Sequence, residues 1–364
     1  MFAKHPRPPL ATLVALAISL VVAGCSTPAT TTSTSVSTNG SLDPVEIVLM
    51  THESFVISED LLAAFAGETG IEIKVLRAGD AGAMVNQAVL TKDNPLADVI
   101  FGVDNNFLSR ALDAGVFEPY ESPLLASVPD ELEADQRVTP IDFGDVCINW
   151  DKEYFAAEGL TPPATLLDLA DPAYRDLLVV QNPATSSPGL AFLYSTIAHF
   201  GETGDYTWID YWTDLRDNQV LVTSGWEEAY YSYFTAASDG DRPIVVSYAS
   251  SPPFEVIYAT EPIDEPPTAV MTEGCFRQIE YAGIVAGTEA RPAAEQVIDL
   301  LLSTRFQDDI PLSMFVFPAN QDAALPPAFV EFAVVPADPL SLPGGEIEAN
   351  VRRWITEWTE VVTG

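Results

Sequence analysis

VEIVLM (residues 45–50), IEIKVL (residues 71–76) and DVIFG (residues 98–102) are short apolar stretches with few polar breaks. Runs of this kind fit strands buried on both faces, as in a parallel sheet. A stretch with helical spacing follows each of them. Residues 59–66 are amphipathic and reach Gly67, residues 83–90 form a second helical segment, and residues 108–114 stop at Gly115. A chain that alternates strand and helix in this way predicts an α/β domain with a parallel sheet.

Downstream the alternation continues. Strands are expected at residues 145–149, 177–181, 220–223 and 244–248, with a long strand-like stretch at residues 275–284. Helices are expected at residues 190–199, 206–216, 293–302 and 347–359. A chain of 364 residues has the length for two domains, and no internal repeat is visible.

Upstream, Lys4 and Arg7 precede an apolar run from Leu10 to Val22. A bilayer-spanning helix needs about 20 apolar residues, so this shorter run reads as an export signal over residues 1–24. Val22-Ala23-Gly24-Cys25 places small residues before a cysteine where the run stops, the pattern of a lipid-modified cysteine at position 25. Residues 25–43 read as a flexible tether. From Ser26 to Asn39 they are nearly all Thr, Ser, Ala and Pro and hold too little apolar surface to fold. The expected location is outside the cytoplasm, with a lipid as the only membrane attachment.

The chain carries 53 acidic and 16 basic residues. Nucleic acid is excluded as a partner, because phosphate binding needs a basic stripe. Negative charge favours a cationic ligand, although whole-chain charge describes no single pocket. Beyond Cys25 there remain Cys147 and Cys275, an even pair for an oxidising compartment. No zinc-type ligand spacing, nucleophile elbow or phosphate loop is present, so no metal, cofactor or catalytic residue is assigned.

Several segments together resemble the thiamine-binding proteins of bacterial ABC transporters. They are Thr51-His52-Glu53-Ser54-Phe55, residues 97–106, residues 182–189, Gly225-Trp226-Glu227-Glu228-Ala229-Tyr230, residues 247–252 and residues 306–318. They occur in that family's order and cover most of the chain after the tether. The resemblance implies a two-lobed periplasmic-binding-protein fold of type 2, with two crossover strands as hinge and the ligand between the lobes. Residues 44–143 plus 277–364 would form lobe 1 and residues 144–276 lobe 2. Closure on ligand would be a hinge motion read by a membrane permease. The chain would work as a monomer and not as an enzyme.

The same resemblance points to a site for thiamine or its phosphates. A permanent cation without a donor hydrogen is held by aromatic faces and carboxylates. Trp226, Tyr248 and Phe315 are the expected faces, with Tyr230 and Phe254 behind them. Glu53 and Asp104 follow strand ends, where ligands bind in open α/β sheets, and would accept from the aminopyrimidine amine; Asp80 is a further candidate. Ser186, Ser187 and Gly189 precede a helix, where N–H groups and hydroxyls suit a phosphate or a hydroxyl. His52-Glu53 stand where the family often has Tyr-Asp, Phe315 where it often has Trp, and Phe254 where it often has Tyr. A polyamine, an aminophosphonate or ferric iron is the alternative ligand. Tyr230-Tyr231 suggests iron, although neighbouring positions on an α-helix do not face one point. If Cys147 and Cys275 lie on the two crossover strands, they either pair or remain buried free thiols.

Overall fold

The computed structural model describes residues 44–364. The export signal, Cys25 and the tether lie outside the described residues. Among the described residues, ten strands form one sheet: β1 (Val45–Thr51), β2 (Ile71–Arg77), β3 (Val99–Asp104), β4 (Phe117–Glu118), β5 (Thr139–Asp151), β6 (Leu178–Gln181), β7 (Leu221–Thr223), β8 (Ile244–Tyr248), β9 (Thr268–Val285) and β10 (Phe317–Pro318). Their order is β2-β1-β3-β9-β5-β8-β6-β7, with β4 added on β9 and β10 on β5.

The parallel expectation holds only at the two ends. β2, β1 and β3 run parallel, and so do β8, β6 and β7. Between them lie β9 and β5, antiparallel to each other and to their outer neighbours β3 and β8. β5 spans 13 residues and β9 spans 18, far more than the segments anticipated from apolar runs. Both are interrupted by polar residues such as Asp142, Asp145, Gln278 and Glu280. Those residues hide the length of the strands from a hydropathy reading.

Local signals explain the helix limits. Ser58 Oγ accepts from Leu61 N–H and opens the helix Glu59–Thr69. The helix passes through Gly67 and stops at Gly70, which takes the left-handed conformation (φ 72°) and donates to Ala66 O. Glycine adopts that conformation without a Cβ penalty, so Gly70 is the true stop.

The C-terminal helix Gly344–Thr363 was expected with the first part of the chain. It packs instead on the helix Trp208–Asp217. Trp354 and Trp358 are fully buried there; Trp358 meets Trp212 edge-on at 5.4 Å and Trp354 meets Tyr194 at 5.9 Å. Trp212 Nε1 donates to Thr196 Oγ1 at 2.9 Å, so the indole enters the core with its polar atom satisfied.

Cys147 of β5 and Cys275 of β9 are joined by a disulfide, with Cα atoms 4.4 Å apart. The β5–β9 register shifts between Val146 and Ile148, and Cys275 sits in that irregularity. The bridge closes a loop of 128 residues. By the chain-entropy model such a closure contributes about 5 kcal/mol through the unfolded state. The Cys147→Ala/Cys275→Ala double variant is expected to lose several kcal/mol in urea unfolding, with the midpoint falling accordingly. An unchanged midpoint would show that strand pairing alone sets the stability.

Candidate functional site

A cleft with about 680 Å³ of empty space, part of it open to solvent, lies over the carboxyl ends of the outer strands. Its aromatic wall comes from the second half of the sheet. Trp226 begins a short helical turn, stacks on Tyr230 at 4.9 Å and 23°, and lies 6.4 Å from Tyr248. Trp226 Nε1 donates to Ser247 Oγ at 3.0 Å, and Ser247 is in turn linked to Ser251 at 2.9 Å. The indole is thereby fixed before any ligand arrives.

Phe254 and Phe315 continue this lining: Phe254 lies 6.3 Å from Tyr231 and meets Phe315 edge to face at 4.4 Å. Phe315 has φ 58°, a conformation that is uncommon outside glycine. Held there by its N–H donating to Ile310 O at 3.1 Å, the backbone turns this ring into the cleft. Non-glycine residues in such conformations tend to mark ligand sites.

Tyr230 and Tyr231 both line the cleft, contrary to the argument from α-helical spacing. Residues 229–233 are wound as a π-turn, and the two rings meet edge to face at 5.4 Å. Such single turns are frequent at functional sites. The Tyr230 hydroxyl is already committed to Glu255 Oε1 at 3.0 Å.

The floor is acidic. Glu53 and Asp80 line it as anticipated, together with His52 and Ser187. Asp80 accepts from three backbone N–H groups: Ala81 at 2.6 Å, Ser187 at 3.3 Å and Trp226 at 3.0 Å. Burial pushes its carboxyl upward, and these donors offset part of that rise. Glu53 is likewise raised, by burial first and then by Asp80 and Glu227.

Asp104 and Ser186 do not line the cleft. Asp104 is fully buried beneath it, accepting from the Ser187 hydroxyl, from Asn106 Nδ2 at 2.6 Å and from Phe107 N–H at 3.2 Å. From there it holds the Ser187 hydroxyl. Ser186 is fully buried just before the helix Ser187–Phe200.

Glu280 and Gln278 also line the cleft, and neither was assigned from sequence. Their signal was faint: two polar residues two apart in an otherwise apolar strand share one face. In the register, Glu280 of β9 stands between Asp104 of β3 and Asp142 of β5, so three buried carboxyls form a row across three strands. Burial and the neighbouring Glu280 charge hold Asp104 and Asp142 well above the usual carboxylate range. Glu280 is shifted the other way. Burial would raise it, but His52, Asp142 and Gln278 together bring it below its ordinary value.

His52 Nε2 lies 3.5 Å from Glu280 Oε2. The ring lies against Gly102, where φ is 94° and a Cβ would fall 2.3 Å from His52 Cδ2. Burial alone would lower the imidazole's proton affinity; Glu280, with Asp80 and Glu53 behind it, reverses the sign. Among the described residues, His52 is the only basic side chain that lines the cleft.

A family model described as bacterial extracellular solute-binding protein matches residues 94–334. The chain belongs to that family. It is 29% identical over 320 residues to a thiamine-binding periplasmic protein of Brucella abortus, covering 86% of this chain and 91% of that one. It is also 29% identical over 303 residues to the thiamine-binding periplasmic protein of Escherichia coli, covering 82% and 87%. Among solved structures, a periplasmic thiamin binding protein superposes with a TM-score of 0.77 at 25% identity, covering 87% of this chain and 96% of that one. The iron-bound HitA of Pseudomonas aeruginosa, at 19% identity and a TM-score of 0.69, shares the fold. The fold is that of the two-lobed, type 2 periplasmic binding proteins, and solute binding is the family's task.

The His52–Glu280 pair is open to direct measurement. In the free protein the His52 imidazole is expected to titrate above 6.5, and Glu280→Gln should bring it down. Proton-detected titration of so few histidines reads this directly. A His52 value unaffected by Glu280→Gln would mean that the pair does not interact in solution.

Proposed function

We propose that this chain captures thiamine between its two lobes and presents it to an ABC permease. The observation that carries this reading is the pairing of one aromatic wall, Trp226 with Tyr230 and Tyr248, with an acidic floor free of lysine and arginine. A quaternary thiazolium has no hydrogen to donate. Aromatic faces and carboxylates are the groups that stabilise it. Glu53 and Glu280 supply negative charge, and Phe254 and Phe315 extend the aromatic lining. The curated relatives named for thiamine support the same ligand.

The lobes in this reading are residues 44–143 and 277 to about 342 on one side, and residues 144–276 with the C-terminal helix on the other. β5 and β9 act as the hinge. The protein works as a monomer held to the membrane by a lipid on Cys25, and it turns over no substrate. Cys25→Ser is expected to move the protein from the membrane fraction to the soluble fraction. Retention in the membrane fraction would rule out the lipid assignment.

Of the six tryptophans, only Trp226 lines the cleft, so it is the reporter. Thiamine titrated into the delipidated protein is expected to change tryptophan emission saturably. Trp226→Ala removes a cation–π contact of about 2 kcal/mol in a desolvated site. Calorimetry should then show at least about a tenfold loss of affinity. Glu53→Gln should weaken thiamine more than a neutral analogue of the same shape. No saturable response in the parent would rule out thiamine. Undiminished affinity in Trp226→Ala would move the pocket elsewhere.

A further inference from the structure

A histidine is an unexpected neighbour for a bound cation. His52 lines the cleft beside Glu53, Asp80 and Glu280, and among the described residues no lysine or arginine joins it there. Its Nε2 is buried, and the acid it faces is Glu280 Oε2 at 3.5 Å. The ring sits 5.5 Å from the Phe101 ring and packs on Gly102, where a Cβ would collide with it.

Acids reach this imidazole from several elements. Glu280 comes from β9, Glu53 is its chain neighbour, and Asp80 follows β2. Asp104 of β3 and Asp142 of β5 flank Glu280 in the strand register. Burial lowers the proton affinity of His52, and Glu280, with Asp80 and Glu53, more than restores it. The aromatic wall leads to the same carboxylate. Tyr248, 6.4 Å from Trp226, donates to Gln278 Oε1 at 3.0 Å, and Gln278 Nε2 donates to Glu280 Oε1 at 3.3 Å. An organic cation held on Trp226 and Tyr248 therefore competes with His52 for the charge of Glu280.

Building on the thiamine reading, we infer that the bound cation displaces the proton of His52: imidazolium becomes neutral imidazole, the proton passes to solvent, and Glu280 is left to face the ligand. Two cations beside one carboxylate repel. The thiazolium cannot lose its charge, whereas the imidazolium can. His52 is then a specificity-determining residue that occupies Glu280 while no ligand is bound and sets the pH at which the cleft takes its cation. The free imidazole titrates above 6.5, and the cation lowers that midpoint in the complex. Within the interval between the two midpoints binding sheds a proton, so affinity rises with pH by up to about tenfold per unit; above the interval it is level.

Calorimetry of thiamine binding between about pH 6 and 8, in buffers of low and high ionisation enthalpy, tests this. In the parent the measured heat should change with the buffer, and affinity should rise at least about threefold from the acid to the alkaline end. His52→Gln keeps a polar side chain that cannot titrate. It should lose the buffer dependence and flatten the rise, and it supplies the baseline for the ligand's own titration. Glu280→Gln should carry the levelling-off point to lower pH and serves if His52→Gln melts early. Saturable binding with the same heat in every buffer overturns the inference. So does undiminished proton release in His52→Gln, which would assign the proton to the buried carboxyls, or an unshifted pH profile in Glu280→Gln. Absence of saturable heat in the parent overturns the thiamine reading itself, a result distinct from binding without proton release.

Discussion

Strands β5 and β9 pair antiparallel from Thr139 opposite Ala282 to Asp151 opposite Thr268, and a parallel set of three strands hangs from each outer edge. Everything else about the site follows from that pairing. It sets Asp104, Glu280 and Asp142 in one row, carries the Cys147–Cys275 bridge, and leaves the carboxyl ends of both parallel sets facing one cleft. Because the two strands run through both halves of the sheet, twisting them moves one half against the other while their hydrogen bonds stay intact. That is the mechanical content of a hinge.

The electrostatics of the cleft depend on its lack of cations. Five carboxyls crowd the floor and the layer beneath it, and burial with the Glu280 charge holds Asp104 and Asp142 well above the usual carboxylate range. Glu280 is held below its ordinary value, against its burial, by His52, Asp142 and Gln278, with Gln278 Nε2 donating to it at 3.3 Å. Asp80 is served by three backbone N–H groups drawn from different elements. Negative charge is therefore concentrated in a few oriented groups beside an aromatic wall, an arrangement suited to an organic cation.

Asp80 also ties distant parts of the chain together, since Ser187 and Trp226 lie more than a hundred residues beyond it. Asp104 does the same for Ser187 from below. The contacts that shape the ligand's surroundings also hold the two sides of the cleft in register.

The sequence by itself determined the alternating α/β architecture, because short apolar runs and helical spacing are local properties. Resemblance placed Trp226, Tyr248, Phe315, Glu53 and Asp80 on the cleft. Only the tertiary structure decided that Asp104 and Ser186 lie beneath the site, since a loop carboxylate can equally cap a turn or face a ligand. Glu280 and Gln278 were illegible because their meaning comes from cross-strand register, which joins residues more than a hundred positions apart. Tyr231 was misjudged because its π-turn breaks the spacing an α-helix would impose. Local periodicity fixes what an element is; which of its side chains meet depends on pairings that no local pattern records.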